Sequence, residues 1–74
     1  MISNSTLAKE ISDLMHDIFQ RLDESVASVS QICSPEEADE YSKAVGRIVC
    51  PIVMEVMEPL YERHPALKPP NWDD

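Results

Sequence analysis

Glycine is nearly missing from the 74 residues; Gly46 is the only one. No Gly-rich phosphate loop can be drawn, and neither CxxC, HExxH nor a nucleophile elbow is present. Long apolar runs are missing as well. The richest, from Ile48 to Met57, is interrupted by Glu55 and falls short of the ~20 residues that a membrane span requires. The first six residues, Met1 to Thr6, lack the basic and apolar regions of a secretory signal. Cations are scarce, six against fourteen acids, and the net charge of −8 argues against duplex DNA or an anionic membrane surface as a partner.

Cysteine is limited to Cys33 and Cys50. With Cys33 at a turn and Cys50 about fifteen residues into the next helix, a rise of roughly 1.5 Å per residue separates them by over ~20 Å, beyond disulfide reach within one chain. A reduced, cytoplasmic chain is the expectation, with a crossed intermolecular pair as the alternative. A chain this short is one domain, 1–74, with a poor ratio of core to surface. Without disulfides it has to draw stability from regular helix packing, a metal or a second copy.

What is present begins with Ser34-Pro35-Glu36-Glu37. The Ser34 hydroxyl can cap a helix, Pro35 suits its first position, and Glu37 can reach back to the Ser34 N–H. Apolar-periodic stretches of nearly equal length flank this signal. Helix 1 is expected over about 6–32, capped by Ser5 or Thr6. Its apolar stripe comprises Leu7, Ile11, Leu14, Met15, Ile18, Leu22, Val26, Val29 and Ile32, an arc of about 120° at roughly 100° per residue. Helix 2 is expected over about 35–63, with acids at its positive end and kinks at Pro51 and Pro59. The short connection makes the two helices antiparallel neighbours.

On the same projection the apolar arc of helix 2 exceeds ~200°, more than one partner helix covers. Helix 1 can cover one side of that arc. The flank holding Cys50, Val53, Met54, Met57 and Tyr61, together with the small Gly46, is left for a second copy. The predicted architecture is therefore all-α: a two-helix antiparallel hairpin that dimerises into a four-helix bundle. The His64-Pro65 pair ends helix 2. An extended, Pro-rich tail over 65–74 follows, in which Leu67, Pro69, Pro70 and Trp72 either cover the bundle end or dock on another protein.

Candidate chemistry is thin. A Cys–His pair would need Cys33 or Cys50 to meet His16 or His64. The expected hairpin keeps His64 far from both cysteines and puts His16 on the polar face of helix 1. The nearest approach to a bundle metal motif is Asp13-Leu14-Met15-His16, with Glu10 and Asp17 beside it, and Glu55, Glu58 and Glu62 form a second ladder. Both groups project to polar faces, so solvated charge is the expected state, with no metal, cofactor or catalytic residue. The functional expectation is a small acidic interaction or regulatory protein that is not an enzyme. Its partners are a second copy and an unidentified protein. One alternative is an acidic inhibitor, immunity- or antitoxin-like, of a basic protein; a second is a metal-binding helical bundle.

Overall fold

A computed structural model describes residues 1–70. Two antiparallel helical rods form a body of 44 × 20 × 17 Å. The first rod is α1, Ser5–Ile32. Its cap is Asn4 rather than Ser5 or Thr6: the Asn4 Oδ1 accepts the Leu7 N–H at 2.9 Å. Asparagine is among the best capping residues, and its side chain satisfies one of the otherwise orphaned N–H groups of the first turn. After Cys33, Ser34 forms the reciprocal box that the sequence predicts. Its hydroxyl accepts the Glu37 N–H at 3.2 Å while the Glu37 carboxylate accepts the Ser34 N–H at 3.3 Å. Pro35 then opens α2, Pro35–Ile52.

The second rod continues without a break through a π-helical segment, Val53–Met57, into α3, Glu58–Arg63. In the π segment the Glu58 N–H bonds to the Val53 carbonyl, five residues back instead of four. The prolines explain its position. Pro51 has no N–H to give to the Arg47 carbonyl, and in a regular α-helix the ring of Pro59 would strike the carbonyl of Glu55. The widened turn opens the coil between them.

The π segment corrects the reading of the apolar arc. An i→i+5 turn holds one extra residue and sets everything downstream back by about 100° relative to a uniform α-helix. Tyr41, Val45, Val49 and Ile52 face α1 upstream of it; Met57, Leu60 and Tyr61 face α1 downstream. The arc of more than ~200° is thus two ordinary arcs, offset by one residue and realigned by the wide turn. Met57 and Tyr61, expected at a dimer contact, are 0 % and 1 % exposed within a single chain. Val53 also packs against this core. Of the expected interface, only Gly46, Cys50 and Met54 remain exposed.

The core lies at the end remote from the turn. Ala8, Met57, Leu60 and Tyr61 are fully buried there, flanked by Met15, Phe19 and Ile52. Toward the turn only Val45 is buried. The tail is not simply extended: Pro65–Leu67 is a 3-10 turn, and Leu67 packs against the core of its own chain. Pro69 is half-buried and Pro70 exposed, while Trp72 lies outside the described residues. The N-terminal segment is also tied down. His64 donates its Nε2–H to the Ile2 carbonyl, and Ile2 packs on the core.

Candidate functional site

Both tyrosines of the chain hydrogen-bond a serine of α1. Near the turn, Ser25 donates its only hydroxyl proton to the Leu22 carbonyl at 2.6 Å. The Tyr41 hydroxyl, 2.9 Å from Ser25 Oγ, must then be the donor to it. At the other end the Tyr61 hydroxyl lies 2.8 Å from Ser12 Oγ and 3.0 Å from His16 Nε2. Ser12 is 4 % exposed and is the only buried polar residue among those described.

The Tyr61 cluster is satisfied in either tautomer of His16. A bare Nε2 accepts the phenolic proton, and Ser12 donates to the phenol oxygen. A protonated Nε2 donates to that oxygen, and the phenol donates to Ser12. In neither state does the imidazole take the Ser12 proton, because the phenol stands between them. The cluster therefore fixes the register of the two rods and does not activate the serine. Sequence reasoning missed it by assigning His16 to the polar face and Tyr61 to the outer flank. No local pattern announces it: Ser12 meets Tyr61 and Ser25 meets Tyr41 only once the helices are paired.

The metal candidates are not assembled. Asp13 pairs with Lys9 at 2.8 Å, and this holds the Lys9 ammonium above its ordinary value. His16 is bonded to Tyr61. Glu55, Glu58 and Glu62 are exposed on the outside of the second rod. Among the described residues no group of three or more His, Cys, Asp or Glu side chains could hold an ion. Cys33 and Cys50 are both exposed, and Cys50 Sγ lies 3.8 Å from Met54 Sδ on the outer face. No described helix is long and apolar enough to cross a membrane.

The remaining features are surfaces. An open groove of about 600 Å³ runs along one side near the turn, floored by Phe19, Leu22, Val26, Val45 and Val49. Gly46 lines it, and a Cβ placed there would meet nothing within 4 Å, so this glycine does not serve a close crossing of the two rods. On other surfaces Leu7, Leu14, Ile48 and Met54 are 45 %, 48 %, 53 % and 61 % exposed. No protein-family model, curated protein or solved structure matches the chain.

Proposed function

We propose that the chain is a non-catalytic interaction module, a helical hairpin that associates with a second copy as a four-helix bundle and offers its remaining faces to a protein partner. The observation that carries this reading is the imbalance of apolar surface. Among the described residues only five apolar ones are buried, whereas Leu14, Ile48 and Met54 are about half exposed or more. Soluble monomers rarely leave apolar patches uncovered without a binding role, and a chain this small gains most from covering them.

A second reading, an acidic inhibitor of a basic protein, draws on the charge. Lys9, Arg21 and Lys43 are already paired with Asp13, Asp17 and Asp39 of their own helices. Glu36, Glu40, Glu55, Glu58 and Glu62 stand exposed along the second rod of a chain carrying −8. Salt separates the two readings. Affinity capture with the tagged chain, washed at low and then at high ionic strength, should retain a partner held on an apolar face. A partner held by the glutamates should elute once the screening length falls to a few ångströms, about 3 Å at 1 M salt. Loss of every partner at high salt would favour the inhibitor.

A further inference from the structure

We propose that the groove beside Gly46 seats one amphipathic helix of a partner protein, its apolar stripe turned inward and a lysine or arginine set beside Asp23. This rests on the reading of the chain as an interaction module and names both the surface and the chemistry of the partner.

Gly46 is the first observation. It lies inside α2 in backbone without a positive φ, where glycine weakens a helix relative to alanine. Nothing in the chain requires it there, because a Cβ at this position would meet no atom within 4 Å. The bare backbone opens instead onto the groove of about 600 Å³. The missing side chain therefore serves only a body that enters from outside and comes close to α2. Ser42, one turn earlier, lines the same wall and is also small, so the approach is open over a full turn.

The shape of the groove selects a helix. Phe19 to Val26 on one wall and Ser42 to Val49 on the other each advance seven residues, about 10.5 Å along the axis. A helix laid in a groove contacts it through residues i, i+3, i+4 and i+7, and its step from i to i+7 has the same length. The trough is open along one side, so it does not enclose a small molecule in the way a ligand pocket does. The described residues include no strand whose edge an extended peptide could join.

Charge identifies which helix. Among the described residues Asp23 is the one charged side chain lining the groove, and it belongs to none of their ion pairs. Gln20, on the same wall, gives its amide to Glu24 at 3.2 Å and so holds a second carboxylate at the rim. The neighbouring cations do not answer these acids. Arg21 is paired with Asp17 and Lys43 with Asp39, and Arg47 is turned about 100° beyond Gly46. Complementarity to this negative mouth favours a basic helix. A second copy would bring its own charge of −8 to the same place.

The probe is a labelled peptide of about fifteen residues, with leucine at i, i+3, i+4 and i+7 and lysine elsewhere. It is titrated into the whole chain and followed by fluorescence anisotropy, beside a control peptide with glutamate in place of lysine. The lysine peptide should bind saturably and the glutamate peptide should not. Gly46→Leu fills the groove without changing the charge and puts a better helix former in α2. It should keep its helicity by circular dichroism and bind the lysine peptide at least tenfold more weakly. Asp23→Asn should weaken binding about twofold to fivefold, the effect of one exposed ion pair. Equal affinity for wild type and Gly46→Leu would overturn the groove as the site, and equal affinity for the two peptides would overturn the basic partner. A wild-type dimer that dissociates with Gly46→Leu in sedimentation equilibrium would place a second copy in the groove and overturn the proposal. Absence of saturable binding by the lysine peptide would overturn it too, while salt-resistant capture of another protein would still support an interaction module.

Discussion

Tyr61 is the residue on which the single-chain core depends most. Its ring is buried between the rods, and its hydroxyl holds Ser12 and His16. Tyr61→Phe keeps the ring and removes only the oxygen, leaving Ser12 Oγ buried without that partner. An unsatisfied buried hydroxyl costs about 1–3 kcal/mol, so chemical denaturation of Tyr61→Phe should show a loss in that range. Ser12→Ala in the Tyr61→Phe background should recover part of it, since two apolar partners of the same shape are nearly neutral. If Tyr61→Phe melts like wild type, the cluster does not join the rods. Met57 illustrates the same environment without polarity. It is fully buried beside Tyr61, so a charge there would unfold the hairpin itself before reporting on any dimer.

At the scale of the helices, the decisive feature is the wide turn at Val53–Met57. It is a one-residue insertion in an otherwise regular rod. Deleting Met54, whose side chain is exposed within it, should convert the π turn into an α turn and leave Met57, Leu60 and Tyr61 facing α1, with a lower melting temperature because the Pro59 ring then meets the Glu55 carbonyl. Deleting Arg47, exposed in the regular part of α2, should rotate Val45 and its upstream neighbours about 100° away from the downstream face. Circular dichroism melts should therefore remain cooperative for the Met54 deletion and lose cooperativity for the Arg47 deletion. The reverse order would show that the π turn does not set the register. This turn also marks the limit of what the residues reveal unaided. The helix ends are legible because caps are local: Ser34, Pro35 and Glu37 act over one turn. The all-helical character is legible from the three-and-four spacing of Leu7 to Ile32. The inward face of the second rod is not, because projection at a constant 100° assumes a uniform helix. A single extra residue at Val53–Met57 reassigns Met57 and Tyr61 from the outside to the core. Leu67 is legible as a residue that can cover the bundle end, but the way it gets there is not. A proline-rich tail reads as extended, and only the 3-10 turn at Pro65–Leu67 returns that side chain to the core.

At the scale of the whole molecule, the hairpin is long and thin. Its radius of gyration is 14.6 Å, against about 11 Å for a compact domain of this length. Such a rod has one economical way to bury more of itself, which is to lie against another rod of equal length. End-to-end association or contact through a tip would lengthen it and cover little area. Small-angle X-ray scattering of the full chain at micromolar to millimolar concentration distinguishes these arrangements directly, because forward scattering gives the mass and the pair-distance distribution gives the longest dimension. Side-by-side hairpins should give a mass near twice 8.4 kDa with the long dimension still close to 44 Å. A mass of one chain at every concentration, or a dimer with its long dimension nearly doubled, would contradict a bundle of side-by-side hairpins.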